Sequence, residues 1–228
     1  DAAPGQLGLR PQAQAGHARA RAVPQLPGAK GLGLKLGLFG GAFDPPHCAH
    51  VQLAQAAVAQ VPLDELLVCP TGQAYHKARD LTPATHRVEM AKIAFSPVPH
   101  TLVDEREIRR AGPTYTVDTL RELRAEQQSA ELFLLMGEDQ AASFTSWREW
   151  QAIAQLATLC IARRQYSAQA QPPLVLPPSV RHVVLTLPIL AESATEVRRR
   201  TTAGEDITAL VPPGVAGYIA RHHLYTPA

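Results

Sequence analysis

The sequence predicts an α/β fold built on a doubly wound parallel sheet, and three observations lead there. From Leu34 onward, short apolar runs alternate with helix-like segments, the pattern of right-handed βαβ units that cover both faces of a parallel sheet. At 228 residues, with 46% hydrophobic and 5% aromatic residues, the chain is long enough for one sizeable core. The unusual polar residues follow the apolar runs instead of lying within them, as they do where a site gathers at the carboxyl ends of strands.

Residues 1–33 come first. They are rich in Ala, Gly, Pro and Gln, lack hydrophobic periodicity, and read as a disordered or non-catalytic extension to a single domain spanning 34–228. Their basic, acid-poor composition also resembles a transit peptide, and they lack the apolar core of a secretory signal. Strands are predicted at Leu34–Phe39, Glu65–Cys69, Thr101–Asp104, Leu132–Met136, Thr158–Ala162 and His182–Leu187. Between them the pattern predicts helices at His50–Gln60, Pro83–Phe95, Thr116–Gln128, Ala141–Leu156 with a break near Trp147, Ala194–Thr202 and Pro213–His222. The run Asp104, Glu105, Arg106, Glu107 reads as a solvated surface.

Charge and cysteine usage narrow the function classes. The extension carries about +3 of a formal net charge of +2, which leaves the remainder close to −1. No lysine- or arginine-rich face of the kind that holds polymeric nucleic acid is evident; a small anionic substrate met by a few placed cations is the better expectation. No run approaches eighteen consecutive apolar residues, so no membrane span is expected. Three scattered cysteines, Cys48, Cys69 and Cys160, argue against a disulfide framework and fit a reducing cytoplasm.

The most informative stretch is Leu36–His50, where an apolar run ends in Gly40 and Gly41, passes Phe43-Asp44-Pro45-Pro46, and reaches His47-Cys48-Ala49-His50. It reads as a strand, an anion-approaching turn and a helix start. Glycine tolerates positive φ and carries no Cβ, so backbone amides can come close to a phosphate, and the helix dipole favours the same ligand. The glycines are not a dinucleotide fingerprint, because G-x-G-x-x-G is absent. His47-x-x-His50 is open to three readings: phosphate contacts, half of a zinc site, or a structural pair. Cys48, at a helix start that favours a thiolate, is either reactive or a small filler. Asp44 is expected to tie the turn by accepting backbone hydrogen bonds.

Gly40-Gly41-Ala42-Phe43-Asp44-Pro45-Pro46-His47-Cys48-Ala49-His50 resembles the G-G-x-F-D-P-x-H-x-G-H signature of the H-x-G-H nucleotidyltransferase superfamily. Within it the chain is similar to bacterial nicotinate-nucleotide adenylyltransferases from about Leu36 to Tyr225. Pro70–Lys77, with His76-Lys77, resembles the family's P-x-x-x-P-H-K loop, Gly112–Leu120 its G-P-S-Y-T-x-D-T-L segment, Gly137-Glu138-Asp139 with Trp147 its G-x-D…W segment, and Ser193–Arg198 its S-S-T-x-I-R motif. Ala49 and Ala194 depart from a glycine and a serine of that pattern, and Glu192 stands where an apolar residue is usual.

The resemblance implies a Rossmann-like sheet of nucleotidyltransferase type and transfer of AMP from ATP to nicotinate mononucleotide in NAD biosynthesis. It implies that His47, His50 and Arg198 stabilise the transferring and leaving phosphates, and that Gly40, Gly41, Phe43, Gly137, Asp139, Ser193 and Thr195 bind ATP. Thr82, Tyr115, Lys77 and Trp147 are implied on the acceptor side, and Mg²⁺ is implied as a cation held mainly by substrate phosphates. Simpler roles stay open at this point: Asp139 and Ser193 as helix caps, Tyr115, Trp147 and Trp150 as packing, Lys77 as a loop side chain. The alternatives in function are a related transferase such as phosphopantetheine adenylyltransferase, or a non-catalytic nucleotide sensor.

Overall fold

The computed structural model describes residues 33–73, 81–164, 173–187 and 192–226. The predicted extension, apart from Gly33, lies outside the described residues, and so do His76 and Lys77. Six strands form one sheet: β1 (Lys35–Gly41), β2 (Glu65–Pro70), β3 (Thr101–Val103), β4 (Glu131–Gly137), β5 (Ala157–Arg164) and β6 (His182–Leu187). Their order is β3-β2-β1-β4-β5-β6, and every pairing is parallel. The chain winds outward from β1 in one direction and from β4 in the other, so the switch point lies between these two strands.

Side-chain alternation along the strands produces two cores, one on each face. Phe39 of β1, Leu66 and Val68 of β2, Phe133 and Leu135 of β4, and Cys160 and Ala162 of β5 belong to one cluster. It is closed by α1 (Cys48–Gln60), α2 (Ala84–Phe95), α7 (Ala194–Thr202) and α8 (Pro213–Arg221). The intervening residues Leu36, Leu38, Leu67, Leu132, Leu134 and Leu159 belong to the other. That face is closed by α4 (Thr116–Glu126) and by a segment made of α5 (Glu138–Ala142), the 3₁₀ turn Phe144–Ser146 and α6 (Trp150–Leu156).

Two elements differ from the expectation. Instead of one helix from Ala141 broken near Trp147, the chain is helical at Glu138–Ala142 and again at Trp150–Leu156. Glu149, at φ 52, separates the two, while Trp147 and Trp150 pack on Phe144 at 5.9 and 6.0 Å between ring centroids. The charge run at 104–107 is not simply surface: it enters α3 (Arg106–Arg109), where Glu107 is only 6% exposed. A buried hydroxyl, Thr119 Oγ1, donates to Glu107 Oε1 over 2.8 Å, and Arg106 is paired with Asp104 and Glu126. A buried carboxylate with a donor costs far less than a bare one.

The registers open the sheet where a site would need room. β1 and β4 pair only from Lys35↔Glu131 to Leu38↔Leu134. β1 stays on β2 as far as Gly41↔Pro70, and β4 stays on β5 as far as Gly137↔Ala162. The carboxyl ends of the two central strands therefore part, leaving a crevice bounded by Gly40, Gly41 and Gly137.

Candidate active site

Gly40 and Gly41 are the last two residues of β1 and do not use positive φ, contrary to the expectation from their sequence. Their lack of a side chain serves two other purposes. A Cβ on Gly41 would meet Phe43 Cζ at 2.9 Å, because the Phe43 ring folds back under the strand end. A Cβ on Gly40 would meet nothing within 4 Å, so the glycine preserves open space. The left-handed residue of the turn is Phe43, at φ 47. Its ring is 1% exposed and wedged edge-on against Phe39, Phe95 and His50 at 5.3, 5.5 and 5.1 Å, which holds the backbone in a conformation unfavourable for a bulky residue. Phe43 therefore forms the floor beneath the histidines.

His47 is the N-cap residue of α1, and the His47 and His50 rings stack with centroids 3.7 Å apart. The His47 backbone N–H donates to His50 Nδ1 at 3.2 Å. An accepting Nδ1 leaves the proton of the neutral ring on Nε2, so His50 presents a donor at its far edge. Ala49 sits in the first turn of α1 and has no positive φ, so a glycine is not needed there for the backbone. Cys48 does not gain thiolate character from the helix start: burial, together with the nearby Glu192 carboxylate, raises its pKa above the ordinary thiol value.

Asp44, 2% exposed, holds the turn from several sides. Its carboxylate accepts from the Thr82 backbone N–H at 3.3 Å and from the Tyr225 hydroxyl at 2.6 Å. Its carbonyl accepts from Arg198 Nη1 at 2.7 Å, while Arg198 Nη2 donates to Thr195 Oγ1 at 3.1 Å. On the other side of the turn, buried Arg87 of α2 donates to the carbonyls of Ala42 and Thr82 at 3.0 and 2.9 Å. Neither Arg87 nor Tyr225 carries a local sequence signal, since each reaches the turn only through the fold.

Two cavities meet at the parted strand ends. The first, about 350 Å³, is lined by His47, His50, Gly137, Asp139, Ser193 and Arg198, among others, on the side of α1 and α7. The second, about 460 Å³, is lined by Thr71, Thr114, Tyr115, Gln140, Trp147 and Arg148, among others, on the side of α4 and α6. Gly40, Gly41, Ala42 and Gln140 line both.

The predicted residues thus sort by place. His47, His50, Arg198, Gly40, Gly41, Phe43, Gly137, Asp139 and Ser193 converge on the first cavity, and Tyr115 and Trp147 on the second. Ser193 also caps α7, its Oγ accepting from the Glu196 N–H at 3.2 Å. Thr195 and Thr82 line neither cavity and instead hold Arg198 and Asp44. Lys77 lies outside the described residues. Gln140, Glu107 and Arg148 line the cavities although no motif marked them.

The parallel sheet in this order, with paired cavities at its switch point, is a doubly wound Rossmann-like α/β fold, and the cytidylyltransferase-like family model matches residues 38–200 of the chain. A relative from Albidiferax ferrireducens, named probable nicotinate-nucleotide adenylyltransferase, is 51% identical over 196 residues, covering 85% of this chain and 99% of the relative. One of the same name from Chromobacterium violaceum is 41% identical over 215 residues, covering 85% and 100%. The chain belongs to the nicotinate-nucleotide adenylyltransferase family. In fold it is similar to Plasmodium falciparum nicotinic acid mononucleotide adenylyltransferase complexed with NaAD, with a TM-score of 0.69 at 19% identity over 84% of this chain and 97% of that one.

Proposed function

We propose that the chain transfers AMP from ATP to nicotinate mononucleotide, releasing pyrophosphate and forming nicotinate adenine dinucleotide. The observation that carries this reading is the pair of cavities joined at Gly40–Ala42, because the reaction needs a donor α-phosphate and an acceptor phosphate to meet from two sides. Membership of the family supports the choice of acceptor.

The acceptor phosphate is ionised at neutral pH, so it attacks without a proton being removed. A bond forms between its oxygen and the α-phosphorus as the bond to the bridging oxygen breaks, and the electron pair leaves with pyrophosphate. The protein's part is alignment and stabilisation of the charge that builds on the phosphoryl oxygens. In this reading His47 and the Nε2–H of His50 contact the triphosphate, and Arg198, steered by Asp44 and Thr195, holds the leaving pyrophosphate through charge-assisted bonds. Ser193 lies at the same wall. Asp139 accepts from ribose hydroxyls, and Gly137, where a Cβ would meet nothing within 4 Å, leaves room for the nucleoside. Tyr115 and Trp147 flank the pyridine ring, and Lys77 is assigned to the acceptor phosphate.

Mg²⁺ is the cation assigned to the reaction, where it would neutralise phosphate charge. Among the described residues no group of three or more His, Cys, Asp or Glu could hold a metal, and the first cavity offers separate carboxylates such as Asp139. Such a donor set suits a hydrated cation carried by the triphosphate. Among the described residues no helix is long and apolar enough to cross a membrane, and a biosynthetic role on soluble nucleotides supports a cytoplasmic location. The test is pyrophosphate release with ATP, Mg²⁺ and a panel of acceptors. Nicotinate mononucleotide should stimulate release strongly; equal release with phosphopantetheine, or with no acceptor, contradicts the reading.

A further inference from the structure

We propose that Arg148 is the residue that selects an acid over an amide on the pyridine ring of the acceptor. The inference rests on the assignment of the second cavity to the mononucleotide and adds to it a specificity determinant that no motif marks.

Placement of the acceptor follows from where the cavities join. Its phosphate must reach the shared wall at Gly40–Ala42 to meet the donor, so its ring lies toward the residues that line only the second cavity, including Tyr115, Trp147 and Arg148. There the Arg148 guanidinium carbon stands 4.4 Å from the centroid of the Tyr115 ring. The cation covers that face of Tyr115, so a planar ligand entering the cavity lies beside it, with its ring substituent within reach of the guanidinium. Among the described residues lining this cavity, Arg148 is the one basic side chain. The acidic neighbour Glu149 is 3.9 Å from Arg148 and is held by both guanidinium nitrogens of Arg121, so it competes weakly. Glu107, the acidic residue of the same lining, is engaged by Thr119.

The chemistry of the two candidate rings then decides. Both mononucleotides carry an N-alkylated, positively charged pyridinium. Nicotinate offsets that charge with a carboxylate, which a guanidinium binds through two parallel, charge-assisted hydrogen bonds. Nicotinamide keeps its positive charge and offers a neutral amide, so a nearby arginine repels the ring without an equal gain. One side chain therefore supplies both the attraction to one acceptor and the penalty against the other.

The experiment compares kcat/KM for the two mononucleotides, with ATP and Mg²⁺ saturating, in the full chain and in Arg148→Ala, Arg148→Lys and Arg148→Glu. Arg148→Ala should lose about tenfold or more on nicotinate mononucleotide, the scale of a lost charge-assisted hydrogen bond. On nicotinamide mononucleotide it should change less than about threefold or improve. Lys should restore part of the preference, Glu should shift it further toward the amide, and KM for ATP should hold. Equal losses on both acceptors would place Arg148 on the common phosphate or in the scaffold and overturn the proposal, as would no loss on either. Thermal melts of the variants identify any loss that is merely unfolding; a folded Arg148→Lys with no preference also overturns it. If the unaltered chain turns over neither mononucleotide but accepts another substrate, the acceptor assignment fails first, and this proposal with it.

Discussion

The Tyr225 hydroxyl donates to Asp44 Oδ1 across 2.6 Å, joining the end of the described chain to the turn that carries His47 and His50. Tyr225 is fixed in turn, its carbonyl accepting from Thr202 Oγ1 at 2.8 Å. Burial, reinforced by the Asp44 carboxylate, pushes the phenol pKa well above its ordinary value, so the hydroxyl stays a donor throughout the working range. Through Asp44 the contact bears on Arg198 and Thr82 as well.

Tyr225→Phe removes that donor and nothing else. It should cost about 1.5–3 kcal/mol of stability, the range for a hydrogen bond to a charged group, and lower kcat by several-fold as the turn loosens. Thermal denaturation and steady-state turnover check this. Unchanged kcat in a destabilised variant would show that Tyr225 supports the fold alone.

The two glycines should respond in opposite ways. Gly41→Ala places a methyl 2.9 Å from Phe43 Cζ in a buried wedge, and overpacking of this kind costs about 1–3 kcal/mol. Gly40→Ala meets no neighbour within 4 Å, so its melting temperature should hold while KM for the nucleotide rises. Melting curves and ATP titrations of both variants separate the cases; equal effects on stability would contradict the geometry.

His50→Ala should remain folded and lose about 100- to 1,000-fold in kcat, the scale for removing one donor to a transition-state oxygen. A chain that only sensed nucleotide would instead keep ATP binding and lose nothing measurable in turnover. Isothermal titration beside kinetics distinguishes these outcomes.

Glu107 links pH to stability. Burial raises its pKa above the ordinary 4.5, with the Thr119 hydrogen bond opposing the shift. The folded chain thus holds this proton more tightly than the unfolded chain. Its contribution is most favourable below the ordinary value and is lost as pH rises through the raised folded value. Glu107→Gln keeps the size and an acceptor for Thr119 but cannot titrate. The melting temperature of the parent minus that of the variant should fall as pH climbs from about 4.5 toward neutrality; a flat or rising difference would contradict the assignment.

Much of the architecture was legible because it depends on local pattern. The six strands announce themselves as short apolar runs, and the polar residues after β1 and β4 mark the rim. What escaped depends on partners far along the chain. Glu107 reads as solvated because its neighbours are charged, yet Thr119 of the next long helix buries it. Gly41 looks like a residue chosen for positive φ, and only the fold-back of Phe43 reveals a steric reason. Tyr225 and Arg87 reach the turn across long separations, and Arg148 gains meaning only from the Tyr115 ring beneath it.

Direct transfer between two joined cavities fixes the ratio of products. With ATP, Mg²⁺ and nicotinate mononucleotide, the chain should release one pyrophosphate for each dinucleotide formed, and none when the acceptor is omitted. A burst of pyrophosphate equal to the enzyme concentration without acceptor would reveal an adenylylated protein and contradict direct transfer.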